Sequence, residues 1–322
     1  MKTNPLVSVI IPTYNRADKL RAAIDSVFKQ HYKNIQLIVI DDGSQDRTAD
    51  LMKEYPLAEY IIQDHAGQAA ARNNGLQHSK GNIVASLDSD DMWYPEFLER
   101  CVEKLEADHL DFVFANWSQD AKEGDPWDFL SGDPFLKPFF KQTPDGWITV
   151  KNPELRKLYL EACPSPSSSV VMRKTSIVGG WDEHIHVGDD WCMYLEMILT
   201  KECKIAFTLD KLWRKRIDNI NIYDGRKRSE VLKLLYIADT QRVIEKFEKL
   251  LTPSERKILE RRYIASSVEL AKHELIREFN IPGSLRLIGK SLAIDISFTF
   301  KIMPDIFMQG VRRRMKSEKK KP

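Results

Sequence analysis

Asp88-Ser89-Asp90-Asp91 places three carboxylates directly after the apolar run Ile83-Val84-Ala85-Ser86-Leu87. Like charges at the end of a buried strand repel, and each loses hydration unless a cation sits among them. In extended backbone, side chains two apart share one side, so Asp88 and Asp90 can address one object. A hard divalent cation carrying phosphate oxygens meets that demand. Mn²⁺ or Mg²⁺ takes one or two carboxylates and completes its shell from substrate. The plainer alternative for an isolated D-x-D is a solvated turn that ends a strand.

Other polar sets accompany this one. Pro12-Thr13-Tyr14-Asn15-Arg16 follows the β-branched run Leu6 to Ile11, and Asp41-Asp42-Gly43-Ser44 follows Ile35 to Ile40. Further on, Gly188-Asp189-Asp190-Trp191 opens a helix whose Trp191, Leu195 and Ile198 mark one face. The helix dipole favours acids in that first turn, which explains one of the two by capping alone. No G-x-G-x-x-G follows a strand, and no G-x-x-x-x-G-K-[ST] occurs anywhere. Phosphate is therefore expected on a metal held by carboxylates rather than in a glycine-rich cradle.

The elements that must position these residues alternate. Leu20, Ala23, Ile24, Val27 and Phe28 repeat at helical spacing between strands one and two. Leu51, Met52 and Tyr55 mark a second helix, Tyr60 to Ile62 a third strand, and Ala69 to Leu76 a short helix. Pro95 suits the first position of a helix through Leu105, and Asp111 to Ala115 is a fifth strand. Near-continuous apolar strands separated by helices imply an α/β fold with a mainly parallel sheet covered on both faces. Such sheets bind ligands at the carboxyl ends of their strands, and the three polar sets that follow strands one, two and four fall on that rim.

The 322 residues suffice for a large α/β domain and a smaller appendage. A hydrophobic content of 43% and a charged content of 30% are those of an ordinary globule, and the net charge of +2 gives no reason to expect nucleic acid. Cys101, Cys163, Cys192 and Cys203 lack metal-site or redox spacing and read as reduced thiols. Met1-Lys2-Thr3-Asn4-Pro5 shows no cleavable signal pattern, and no apolar stretch reaches about 18 residues. A cytoplasmic location is expected.

The runs Val9-Ile10-Ile11-Pro12-Thr13-Tyr14-Asn15-Arg16, Ile40-Asp41-Asp42-Gly43-Ser44 and Leu87-Asp88-Ser89-Asp90-Asp91 resemble the signatures of family 2 glycosyltransferases with the GT-A fold. Gly67-Gln68-Ala69-Ala70-Ala71-Arg72-Asn73 is similar to the family's glycine-to-arginine segment, and the resemblance spans roughly residues 5 to 220. It implies a metal-dependent, inverting transfer of one sugar from a nucleotide-diphosphate sugar, a UDP-sugar in the first instance, to an acceptor hydroxyl. The setting implied is cell-surface polysaccharide or glycoconjugate synthesis.

By the same resemblance, Asp41 matches the carboxylate that bonds the base, and Thr13 lies in the loop lining that pocket. Asp88 matches the acid on the ribose hydroxyls, Asp90 the metal ligand, and Arg72 a residue near the phosphates or base. Asp190 matches the general base, with Asp189 supporting it. Trp181 and Trp191 are placed by it at the acceptor, and Arg214 or Arg216 at the leaving group. Many relatives carry histidine two residues after the arginine; here that position is Asp218. The Q-x-x-R-W pattern of processive synthases is absent. A sugar-phosphate nucleotidyltransferase and a noncatalytic carbohydrate-binding relative remain as alternatives. The first would want glycine and lysine after strand one, where Pro12-Thr13-Tyr14-Asn15 has neither.

Two regions lie outside that pattern. Residues 118–166 interleave Trp127, Phe129, Phe135, Phe139, Phe140 and Trp147 with Pro126, Pro134, Pro138 and Pro144, as in a lid, an acceptor platform or packing under a long loop. The expected division is a GT-A domain over 1–224, with a nucleotide-sugar half at about 1–115 and an acceptor half at 116–224, then a helical region over 225–322. Near the end, the apolar residues Ile294 to Val311 precede Arg312-Arg313-Arg314, Lys316 and Lys319-Lys320-Lys321. Such a segment can rest on an anionic membrane surface, peripheral to the inner face, or form a core helix with a solvated tail. Membrane contact would suit a lipid-linked sugar acceptor.

Overall fold

The computed structural model describes residues 4–119, 128–216 and 226–318, with side chains as far as residue 308. It separates into two compact units. The first comprises Met1–His184 and Asp189–Asp218, the second Ile185–Gly188 and Asn219–Pro322.

The first unit is built on nine strands: β1 (Val7–Thr13), β2 (Ile35–Asp41), β3 (Glu59–Ile62), β4 (Ile83–Ser86), β5 (Met92–Trp93), β6 (Phe112–Gln119), β7 (Trp147–Lys151), β8 (Val170–Arg173) and β9 (Lys204–Lys215). They form one sheet in the order β3-β2-β1-β4-β8-β6-β9-β5, with β7 pairing to β9. Among the described residues β1, β2, β3, β4, β6 and β9 run one way, and β5, β7 and β8 run against them. The expected α/β architecture with a mainly parallel sheet is the one found.

Helices α1 (Ala17–Phe28), α2 (Thr48–Met52) and α3 (Gln68–His78) connect the first four strands. All seven residues of β1 are buried, and α1 buries Leu20, Ala23, Ile24 and Val27, the positions its periodicity predicts. Helix α3 lies close over β1: at Gly75 a Cβ would fall 2.4 Å from Ile10 Cγ2. Helix α4 (Phe97–Ala107) begins two residues after Pro95, whose carbonyl is taken by the amide of His31 at 2.7 Å. That proline shapes the turn before the helix rather than its first position.

The order β3-β2-β1-β4 puts the chain's change of direction between β1 and β4, the place where open α/β sheets leave a crevice. Pro12 widens it. In β1 the carbonyl of Ile10 accepts from Leu87 in the β4 direction, whereas the carbonyl of Thr13 accepts from Asp42 in the β2 direction. Pro12 shares the side of Ile10 and has no amide to give, so pairing with β4 ends at Ile10–Ser86 while pairing with β2 continues to Thr13–Asp41. The two strands part, and Asp88–Asp91 turns in the gap.

The unit also holds α5 (Phe129–Gly132), α6 (Glu154–Glu161) and α7 (Asp189–Thr200). Within the aromatic insertion, Phe129 stacks on Trp117 at 4.9 Å, Trp117 meets Trp213 at 5.1 Å, and Trp147 is buried in β7. These rings pack against the β6–β9 half of the sheet, while Phe135 is exposed. Pro126 and Trp127 lie outside the described residues.

The second unit is helical: α8 (Arg228–Val231), a π-helical stretch Leu232–Ala238, α9 (Asp239–Lys246), α10 (Pro253–Arg277), α11 (Ile281–Ile294) and α12 (Ile296–Glu318). Thr252 and Glu255 form a capping box on α10, with Pro253 at its first turn. Tyr263, Ile264 and Val268 of α10 form a core against which Phe298, Ile302, Met303, Ile306 and Phe307 of α12 pack. Asp239, fully buried, accepts from the amides of His186, Val187 and Gly188.

Candidate active site

The rim of the first unit brings together residues from four strand ends and two helix starts. Asp88–Asp91 is a tight turn, closed by the amide of Asp91 on the carbonyl of Asp88 at 3.0 Å. Convergence therefore comes from a turn and not from strand alternation, and it gathers a third acid. Carboxylate oxygens of Asp88, Asp90 and Asp91 lie within 4.8 Å of one another. Burial pushes the carboxyls of Asp90 and Asp91 above their ordinary range, and the charge of Asp88 adds to the effect on both. Three hard oxygen donors, desolvated and mutually repelling, fit a divalent cation such as Mn²⁺ or Mg²⁺.

Cations ring this turn. Arg16, leaving β1, pairs with Asp90. Lys19, one turn along α1, feels the charges of Arg16, Asp90 and Arg216. The amide of Arg216 donates to Asp91 Oδ1 at 3.2 Å, and Lys215 pulls the Asp91 carboxyl down. Arg214 is half-buried in β9, paired in register with Met92 of β5. Asp218 lies outside the described residues.

Arg72 forms the floor. Its side chain is 2% exposed, and its two terminal nitrogens reach Asp88 Oδ1 at 2.7 Å and Asp189 Oδ2 at 2.6 Å. Asp190 Oδ1 lies 3.7 Å away. Gln68, one turn before Arg72 on α3, donates to Asp189 Oδ1 at 2.9 Å. Burial pushes the carboxyl of Asp189 up to about 7, opposed by Arg72. Asp88 of the acid turn and the acid pair that opens α7 thus share one guanidinium.

Asp190 is oriented by two donors on a single oxygen. Ser167 Oγ lies 2.5 Å and Trp181 Nε1 2.8 Å from Oδ1, and no described residue donates to Oδ2. The neighbouring serine completes the linkage. Ser168 Oγ donates to Asp91 Oδ2 at 2.7 Å and accepts from the amide of Asp88 at 3.1 Å. The serine run before β8 is thus a pair of hydroxyls that fix both acid clusters. A single sequence signals it only as three hydroxyls ahead of an apolar strand.

At the β2 end, Asp41 is buried and accepts from the amide of Ser44 at 2.8 Å and from the hydroxyl of Tyr60. Thr13, opposite Asp41 in register, is buried, and its Oγ1 meets no partner among the described residues. Two strand spacings, about 10 Å, separate the ends of β2 and β4. Asp42 does not open the next helix, as an Asx turn would. Its carboxylate instead accepts from Gln63 Nε2 and the amides of Ala66 and Gly67, and the ring of His65 lies against it. It fastens the loop into α3, and so fixes Arg72. His65 stacks on Tyr14 at 4.1 Å, and Tyr14 remains 41% exposed at the rim.

Two expected acceptor contacts sit differently. Trp191 is 2% exposed, and its indole nitrogen donates to the carbonyl of Tyr159 at 2.6 Å, so its ring packs in the core and offers no face to a sugar. Trp181 is equally buried and acts on Asp190 through its N–H.

Comparison with known proteins agrees with this arrangement. Residues 8–161 match the sequence model of Glycosyl transferase family 2. Glycosyltransferase GlyA of Streptococcus pneumoniae is 34% identical over 142 residues, 42% of this chain and 20% of that protein. The Escherichia coli UDP-Glc:alpha-D-GlcNAc-diphosphoundecaprenol beta-1,3-glucosyltransferase WfgD is 36% identical over 115 residues, 35% of this chain and 46% of that one. The chain thus spans half or less of the length of these curated relatives. In fold it is similar to residues 1–349 of TarS from Staphylococcus aureus, with a TM-score of 0.60 at 17% identity over 95% of this chain and 85% of that structure. TarS has also been seen with UDP-GlcNAc. A mannosyltransferase, PcManGT from Pyrobaculum calidifontis, in complex with GDP-Man and Mn²⁺, gives 0.57 at 17% over 98% and 88%. From β1 to the end of α6 the sequence thus matches glycosyl transferase family 2, on a sheet similar in fold to those of TarS and PcManGT.

Proposed function

We propose that this protein is an inverting, metal-dependent glycosyltransferase that moves one sugar from a UDP-sugar to an acceptor hydroxyl. The observation that carries the reading is the position of Arg72, which joins the donor turn at Asp88 to the acid pair at Asp189 and Asp190 through one buried side chain.

In this reading Asp41 accepts from the base, with Thr13 beside it and Tyr14 offering an exposed aromatic surface. Asp88 accepts from the ribose hydroxyls. Asp90, with Asp88 and Asp91 close by, would hold Mn²⁺ or Mg²⁺, which supplies positive charge where the diphosphate departs. Arg216, whose amide bonds to Asp91, and Arg214, two residues before it, are the candidates for the leaving group. Asp190 holds Oδ1 on Trp181 and Ser167 and uses Oδ2 to take the acceptor's proton. As that O–H breaks, the acceptor oxygen bonds to the anomeric carbon from the face opposite the diphosphate. The anomeric C–O bond breaks in the same event, and its electrons leave with the nucleoside diphosphate. Asp189 stays on Arg72 and keeps the first turn of α7 in place.

WfgD's name couples a UDP-sugar to a diphosphoundecaprenol-linked acceptor, which supports a lipid-linked sugar as acceptor and a role in cell-surface polysaccharide synthesis. Among the described residues no helix is long and apolar enough to cross a membrane. Helix α12 leaves Ile296, Phe300 and Met308 exposed while other apolar residues of it pack on α10, and it leads into the basic residues from Arg312. Exposed apolar side chains next to a basic segment support peripheral contact at the cytoplasmic face of a membrane.

The test is Asp190→Asn, which keeps an oxygen for Ser167 and Trp181 but takes no proton. It should lower kcat for transfer from a UDP-sugar by about 10²–10⁴ while leaving Mn²⁺-dependent donor binding within a few-fold of wild type. Unchanged kcat would refute the assignment.

A further inference from the structure

Arg16 is ion-paired with Asp90, the acid assigned above to the metal. An arginine and a divalent ion would draw on the same carboxylate. The backbone that carries Arg16 is anchored on both sides. Asn15, at φ 51°, donates its amide to Ser44 Oγ at 2.8 Å and accepts from the amide of Gln45 at 2.7 Å. The amide of Ala17 is held by Asp46 at 3.0 Å. From this fixed stretch the side chain reaches Asp90 and is 21% exposed.

Each acid of the turn already has positive charge beside it. Asp90 pairs with Arg16 and Asp88 with Arg72, while Asp91 accepts from the Arg216 amide and feels the charge of Lys215. A divalent ion alone would put two more positive charges into this group. The same ion with a nucleoside diphosphate would bring compensating negative charge, and a guanidinium is shaped to fork onto phosphate oxygens.

We propose that Arg16 competes with the divalent ion for Asp90 and, once displaced, turns onto the diphosphate, so that metal and nucleotide bind cooperatively. The inference rests on the nucleotide-sugar reading and adds to it a residue that couples the two ligands. Coupling is reciprocal: whatever factor UDP adds to metal affinity, metal adds to UDP affinity.

The experiment is calorimetric titration of the full chain with Mn²⁺, alone and with saturating UDP, for wild type, Arg16→Gln and Arg16→Lys. Arg16 occupies the N-cap position of α1 without a side-chain cap bond, so neither change removes a helix cap. Wild type should bind Mn²⁺ weakly alone and at least about tenfold more tightly with UDP. Arg16→Gln should bind Mn²⁺ alone about tenfold more tightly than wild type and lose most of the gain from UDP. Arg16→Lys, which keeps the charge, should stay close to wild type for Mn²⁺ alone. Mn²⁺ affinity unchanged or weakened in Arg16→Gln overturns the competition, and an unchanged gain from UDP overturns the coupling. If UDP binds no variant, the nucleotide reading fails, while the Mn²⁺-alone comparison still decides between Arg16 and the metal.

Discussion

Arg72 Nη1 lies 2.6 Å from Asp189 Oδ2, with the two side chains 2% and 1% exposed. A charge pair this deep is stable only as a pair. Arg72→Ala would leave Asp189 buried without its cation and should cost about 3–5 kcal/mol in urea denaturation. Arg72→Ala combined with Asp189→Ala should cost much less than the sum of the single changes, because each already removes the same contact. Arg72→Lys should fall between, since one ammonium cannot fork between Asp88 and Asp189. Additive single costs would mean that the pair is not coupled.

Asp42 carries a second structural prediction. Its buried carboxylate serves the amides of Ala66 and Gly67, each at 2.8 Å, and Asp42→Ala leaves both without that acceptor. The loss should exceed about 2 kcal/mol, and hydrogen exchange of the 63–67 amides should speed up before global unfolding does. Because this loop leads into α3, whose Arg72 holds Asp88, binding of the proposed UDP-sugar donor should weaken as well. Exchange as slow as in wild type would show that the loop is held by other contacts.

How much of this was legible in the residues depends on the distance over which each contact acts. The strand-end polar runs, the helices between them and the acid cluster were readable because each is local: an apolar strand that stops at Pro12 or Leu87 has to hand over to something polar. The turn at Asp88–Asp91 was readable as acids but not as geometry, since its closure is a backbone bond. Ser168 meets Asp91 across 77 positions and Arg16 meets Asp90 across 74, and no spacing rule reaches that far. Trp191 misled for another reason. Helix α7 buries Trp191, Met193, Tyr194, Leu195, Met197 and Ile198, so it is apolar almost all round and its pattern does not say which side faces a ligand.

Acid stability should show the signature of Asp111. Burial alone would raise its pKa, but Lys201 at 2.6 Å, the Lys204 amide at 2.9 Å and Ser176 at 2.7 Å prevail and hold the carboxyl below its ordinary range. A folded-state value below the unfolded one means the stabilisation is present above about pH 4 and is lost as the pH falls through the folded value. Asp111→Asn should therefore cost about 1–3 kcal/mol at pH 7. That difference from wild type should shrink steadily below about pH 4. A cost independent of pH would assign the contacts to shape rather than charge.

Asp91 gives the sharpest separation between holding a fold and holding a ligand. It is 3% exposed, accepts from Ser168 and the Arg216 amide, and is pushed well above the ordinary carboxyl range by burial, with Asp88 and Asp90 adding to it. Asparagine has the same shape, keeps an oxygen for the Arg216 amide, and allows the Ser168 hydroxyl to rotate and accept. Asp91→Asn removes one of three crowded like charges, so in the presence of a chelator its Tm should rise by a few degrees, a gain of roughly 1 kcal/mol. The same change withdraws charge from the cluster that would hold a divalent ion, so the Tm increase produced by Mn²⁺ should fall below that of wild type. A residue serving only the fold would lower Tm in both conditions. Opposite signs in the two measurements are what a carboxylate kept for a cation requires.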